Sequence, residues 1–212
     1  MTDGLGDTYV ATRRQLRGVA EALIAGPQYR AAHTIRLAVR ADGFAGVATP
    51  IAVRGADLVW PDGVVALAGP IGAIAATVGV DMGPPEGVYD VVDALGPDAV
   101  LDVDTAAADI VHRALLAGNL SLKDIAPEQN SVLWPEHFDV AVTEDEVNYG
   151  VSPGDDSHPT PYAYVGPWSK PTGEFWNAPF GAMYPLNPAH DVDALASSIT
   201  DFFQRGRREL GK

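Results

Sequence analysis

Residues 33–67 restrict the fold most. HTIRLAV at 33–39 alternates, with Ile35, Leu37 and Val39 on one side and Thr34, Arg36 and Ala38 on the other, the two-residue period of a half-buried strand. Asp42-Gly43 is a tight-turn signal. Further short strands are predicted over 44–48, 51–54, 57–60 and 64–67, punctuated by Gly55, Pro61 and Gly63. Strands that do not alternate regularly with helices argue against a doubly wound parallel sheet. The chain is therefore read as α+β, a mainly antiparallel sheet with about four helices, in a single domain over 1–212. Each half puts strands before a helix, so a weak two-half organisation, about 1–80 and 100–212, is the other reading.

The helices follow from period and punctuation. Over 8–25, Leu16, Val19, Ala20, Leu23 and Ile24 fall at helical spacing, Asp7 or Thr8 caps the start, and Gly26-Pro27 is read as the stop. Arg13, Arg14 and Arg17 mark its polar face. Pro70 opens a short apolar helix that Gly79 ends. Residues 81–103, rich in Gly and Pro, read as a connector. Asp104 caps a helix through Ala117 with Gly118-Asn119 as its close, and Asp191 caps a last helix expected to end before Gly206. The segment 152–190 has many prolines and aromatics and few predicted elements.

Composition narrows the function classes. The net charge of -14 argues against general nucleic-acid binding, which needs basic surface to displace counterions. It argues equally against docking on anionic lipid. No run of about 18 apolar residues is present, and the first residues, MTDGLGDTYV, lack the basic and apolar regions of a signal peptide, so a cytoplasmic location is expected. With no cysteine there is no disulfide or thiolate metal site, and no cofactor motif is visible.

Polar and aromatic chemistry concentrates in 132–168, VLWPEHFDVAVTEDEVNYGVSPGDDSHPTPYAYVGPW. A strand over 137–142 turns Phe138, Val140 and Val142 one way and His137, Asp139 and Ala141 the other. After the charged turn Glu144-Asp145-Glu146, a return strand puts Val147, Tyr149 and Val151 on the apolar face and Asn148 on the opposite one. A third strand near 162–165 adds Tyr162 and Tyr164 if its small residues pack inward. His137, Asp139, Asn148, Tyr162 and Tyr164, with Trp168 nearby, then form a pocket-like set of a few placed polar groups among aromatics. The bland alternative is an exposed hydrogen-bonded pair under aromatics that seal a loop. A weaker metal alternative uses His137, Asp139 and His158, with Asp155 or Asp156, as imidazole and carboxylate ligands. No dinucleotide fingerprint, nucleophile elbow or phosphate loop is present. His112 lies beside a helix's inward stripe and reads as structural.

The runs LWPEHFDVAVTEDEVNYGVSPGD, PYAYVGPW and FWNAPFGA resemble an uncharacterised actinobacterial protein family of unknown function, as do AGPQYR and TIRL near the start. A looser similarity links the W-x-x-H-F-D stretch, the tyrosine strand and the final helix to a broader bacterial family. The resemblance implies membership and no chemistry, and it transfers no catalytic residue. The expectation is a small-molecule-binding protein with its ligand on the 132–168 sheet face. The alternatives are a metal-assisted hydrolase or isomerase using His137 as base or ligand, and an interaction subunit that docks through its aromatic loop. Ligand and oligomeric state are not legible in the sequence.

Overall fold

The computed structural model describes residues 5–169 and 171–211. The protein is α+β, with four helices among the described residues, the first of them interrupted by a π turn, and antiparallel strand pairing throughout the named ladders. Its chain divides into two compact units, Met1–His112 with Leu133–Phe138, and Arg113–Val132 with Asp139–Lys212. No helix among the described residues is long and apolar enough to cross a membrane.

The first unit opens with one continuous helical rod: α1 (Gly6–Val19), a π-helical segment (Ala20–Ala25) and α2 (Gly26–Ala32). The stop expected at Gly26-Pro27 is not there. Pro27 sits in the first turn of α2, directly after the widened π turn, and the carbonyl of Ala22, five residues before it, accepts from the Gly83 N–H instead. Gly26 serves a close approach instead: a Cβ there would lie 2.8 Å from the carbonyl carbon of Gly83. The rod ends at His33, whose backbone is left-handed at φ 53°. The first strand therefore starts later than the alternation suggests. β1 (Leu37–Arg40), β2 (Gly43–Gly46), β3 (Ala52–Arg54), β4 (Asp57–Trp60) and β5 (Gly63–Ala66) follow as an antiparallel meander.

β6 (Ala68–Pro70) leads into α3 (Ile71–Val78), which has Pro70 at its start and left-handed Gly79 at its end. β6 pairs with β7 (Val100–Asp102), a two-strand ribbon that the sequence reading missed inside the connector. β8 (Val132–Trp134) joins the other side of β1 through Leu37 opposite Leu133. The core gathers Leu16, Val19, Leu23 and Ile24 of the rod with Phe44, Val53 and Leu58 of the sheet, all fully buried. The π segment touches β2 closely, since a Cβ on Gly46 would fall 3.1 Å from Ile24 Cγ2.

The division between units falls inside α4 (Thr105–Ile125). Asp104 caps it, accepting from the Ala107 N–H at 2.8 Å. α4 does not close at Gly118-Asn119. β9 (Asp139–Glu144), β10 (Val147–Ser152), β11 (Tyr162–Pro167) and β12 (Ala182–Pro185) form the second unit's antiparallel ladder. Asp145 and Glu146 turn the β9–β10 hairpin with positive φ at both positions, 50° and 63°, as a type I′ turn requires. α5 (Val192–Glu209) starts at the Asp191 cap and runs past Gly206.

Gly118 and Gly206 are contact glycines. A Cβ on Gly118 would lie 2.6 Å from Val151 Cβ and 2.9 Å from Val140 Cγ1, and one on Gly206 would lie 3.0 Å from Val165 Cγ2. Both helices thus press on one face of the ladder, where Val140, Val142, Tyr149, Val151, Ala163 and Val165 are buried. Tyr149 meets Phe203 edge-on, ring centroids 5.6 Å apart. The opposite face carries the chemistry.

Candidate functional site on the β9–β12 ladder

Cross-strand register fixes which side chains share this face. One row across the ladder reads Ala141, Gly150, Tyr164 and Met183; the next reads Thr143, Asn148 and Gly166; Ser152, Tyr162 and Pro185 make a third. Asp139 follows from the alternation along β9, two residues before Ala141. The structure thus brings Asp139, Asn148, Tyr162 and Tyr164 onto one face.

Small residues determine how the rings lie. Gly150 sits directly opposite Tyr164, and a Cβ there would come within 2.6 Å of Tyr164 Cε1 and closer still to Cζ and Oη. The ring therefore lies flat across β10 and carries its hydroxyl to Asp139, to which it donates a hydrogen bond. Asp139 is 6% exposed. A second pair stands beside it: Tyr162 Oη donates to Asp155 Oδ2 at 2.5 Å. Asp155 Oδ1 accepts from the N–H groups of Ser157 and His158, each at 2.7 Å, closing a turn that holds the His158 ring against Tyr162 at 5.5 Å. Phe180 covers both phenols, stacked on Tyr162 at 6.5 Å and edge-on to Tyr164 at 6.2 Å, and is itself 42% exposed.

The electrostatics follow from burial and these bonds. Burial, then the neighbouring Asp139 charge, pushes the Tyr164 phenol well above its usual range, and burial with the Asp155 bond raises Tyr162. Both stay protonated donors at neutral pH. Burial alone would raise Asp155, but the bonds from Tyr162, His158 and Ser157 outweigh it and hold the carboxyl below its ordinary value. At the exposed rim, Asn148 Oδ1 accepts from Thr143 Oγ1 at 2.8 Å. The strip from Asn148 past Phe180 to His158 thus alternates polar, aromatic and polar groups.

Two expected members stand elsewhere. β9 begins at Asp139, two residues after the predicted start, because Phe138 is left-handed at φ 51° and breaks the alternation. Phe138 is still buried, its ring edge-on to Phe44 at 5.5 Å. His137 lies in the preceding turn, in the first unit, with its side chain 68% exposed and 3.8 Å from Glu136 Oε1. Trp168 follows the end of β11, 68% exposed, its N–H bonded to Glu146 O at 2.9 Å. The His137, Asp139 and His158 metal set is not assembled: among the described residues no group of three or more His, Asp or Glu side chains is placed to hold a metal ion.

A second polar cluster escaped the sequence reading. Tyr9, Arg13, Arg17 and Glu21 recur every four residues, one face of the first helical rod. The sequence reading gave the arginines to a polar face, yet Arg13 is 5% and Glu21 3% exposed. Arg17 Nη2 lies 3.7 Å from Glu21 Oε1, and Tyr89 Oη donates to the same oxygen at 3.3 Å. Burial, chiefly, pushes the Glu21 carboxyl up to about 7, with Glu136 adding to the rise and Arg17 and Tyr89 opposing it. The strict four-residue recurrence of large polar groups was the available signal.

No protein-family model, no curated protein and no solved structure matches the chain.

Proposed function

We propose that this protein binds a small molecule on the polar face of β9–β11, with Phe180 as the stacking surface and Asn148 and His158 as the polar groups at either end. The observation that carries the reading is the pair of phenol–carboxylate hydrogen bonds lying side by side under one half-exposed ring. These bonds lock Tyr162 and Tyr164 in place, so the surface presented to a ligand is already organised before binding. Both hydroxyl protons are committed to Asp155 and Asp139, so neither tyrosine offers a ligand a donor. The ligand class this favours has a flat ring body with polar groups on its periphery. Aromatic stacking and amide donation suit such a molecule, and each is modest alone.

A thermal-shift screen of ring compounds on the parent protein and on Phe180→Ala tests the proposal. A compound that stabilises the parent and leaves Phe180→Ala unmoved supports it; compounds that stabilise both equally bind elsewhere and overturn it. The exposure of Trp168 favours a second reading, a docking surface for another protein. In that case Trp168→Ala, rather than Phe180→Ala, abolishes the interaction.

A further inference from the structure

The connector between α3 and α4 does not wander. Residue by residue it runs back along the first helical rod, within the first unit. Asp81 Oδ2 meets Arg30 Nε at 3.3 Å, and Arg30 also donates to the backbone oxygens of Asp81 and Pro84. The Gly83 N–H bonds to Ala22 O at 3.0 Å, over the bare Gly26. Tyr89 reaches Glu21, and Leu95 lies on Gly18, where a Cβ would fall 2.6 Å from Leu95 Cγ. Further on, the Asp102 N–H meets Gln15 Oε1 at 2.7 Å and the Asp104 N–H meets Thr12 Oγ1 at 3.2 Å. The ties beyond residue 98 belong to regular elements, β7 and the α4 cap. Those before it hang on a segment with no regular structure and with left-handed backbone at Gly87 and Asp93, φ 72° and 59°.

We infer that residues 81–98 form a releasable strap, closed over the rod while Glu21 is neutral and lifted when Glu21 ionises. The groups facing the carboxyl are Arg17 from its own rod, Tyr89 from the strap and Glu136 from the turn before β9. Arg17 and Tyr89 favour the carboxylate, yet burial outweighs both, so ionisation weakens the closed form on balance. Lifting the strap gives the carboxylate water. The π turn at Ala20–Ala25 places Glu21 in the widened stretch of the rod, a geometry that recurs at functional sites.

Linkage gives the size. The carboxyl is near 7 when covered and, once hydrated, returns toward its ordinary 4.5. Between those values the open form is ionised and the closed form is not. The open fraction therefore rises across that window, by at most tenfold per pH unit, and levels off above it, at most about 300-fold in all. The chain has no cysteine, so single thiols report opening cleanly. Leu95→Cys is labelled with a pyridyl disulfide reagent between pH 5 and 8, each rate divided by that of Val92→Cys, an exposed position on the same strap. The ratio is expected to climb to near pH 7 and then flatten. In the Glu21→Gln background it stays low and flat, and in Tyr89→Phe it starts higher and keeps its slope. Ala108→Cys, fully buried in α4, separates strap opening from unfolding: it labels far more slowly than Leu95→Cys at every pH. A flat ratio in the parent, an equal climb in Glu21→Gln, or equal rates at 95 and 108 overturns the inference.

Discussion

Gly150→Ala is the sharpest small perturbation of the candidate site. The new methyl carbon would stand 2.6 Å from Tyr164 Cε1 and nearer to Cζ and Oη, far inside contact distance. β10 is paired on both sides, so its backbone cannot retreat, and the ring must swing out of plane. Overpacking of this kind costs about 1–3 kcal/mol. Displacing the phenol also withdraws a hydrogen bond from the buried Asp139, worth about 1–3 kcal/mol. Against these stands a gain of about 0.4–1 kcal/mol from the stiffer unfolded chain. The net expectation is a loss of roughly 3 kcal/mol, or about 6–12 °C in melting temperature for a chain of this size. A double-mutant cycle assigns the cause. In a Tyr164→Ala background the ring is gone, and Gly150→Ala becomes neutral or mildly stabilising. Urea denaturation of the four proteins measures the coupling. A neutral Gly150→Ala in the parent, or an equal loss in both backgrounds, refutes the argument that Gly150 is there to seat the ring.

Gly118→Ala likewise loses about 1–3 kcal/mol in urea denaturation, because its Cβ meets Val151 and Val140; a glycine that merely ended a helix would tolerate the change. Glu21→Gln stabilises the protein above neutral pH. The raised carboxyl binds its proton more tightly when folded, so stability falls as pH rises from about 4.5 to about 7 and the full penalty, at most about 3 kcal/mol, is present above that. Melting curves at pH 5 and pH 8 measure it, and the gain should be confined to the upper end. His112 works with the opposite sign: burial, its largest influence, holds it neutral and lowers its proton affinity, so its stabilising share is complete above the ordinary 6.5 and declines as pH falls below that. Imidazole chemical shifts followed by NMR should show it titrating below 6.5, with the Nε2–H kept on the Gly55 carbonyl at 2.9 Å.

The period-two pattern made the antiparallel strands legible, and capping aspartates at 104 and 191 marked two helix starts correctly. Glycine misled. Gly26, Gly118 and Gly206 each looked like a helix stop, and each lies inside a helix where another chain segment comes too close for a side chain. A local sequence window carries the helical cost of glycine but not the neighbour that requires it. The polar face of β9–β11 was readable because alternation alone sorts Asp139, Asn148, Tyr162 and Tyr164 onto one side. His137 was misplaced because a single left-handed residue, Phe138, resets that alternation, and bulky residues rarely adopt such a backbone. The Tyr9–Arg13–Arg17–Glu21 stripe was visible as spacing but not as burial, since the strap that covers Glu21 comes from 81–98, a segment with no periodicity to reveal where it packs.

Ligand contact, rather than stability, distinguishes a binding site on the polar face of β9–β11. Tyr164→Phe removes a hydrogen bond to a buried carboxylate and costs stability whether or not a ligand exists. The direct measurement is amide chemical-shift mapping by NMR, with compounds from the ring-compound screen titrated into the labelled parent protein. The account predicts that the shifted amides cluster at Asn148, Gly150, Tyr162, Tyr164, Gly166 and Phe180, and that the cluster vanishes in Phe180→Ala. Shifts gathered instead around Arg17, Glu21 and Tyr89, or around Trp168, would contradict it.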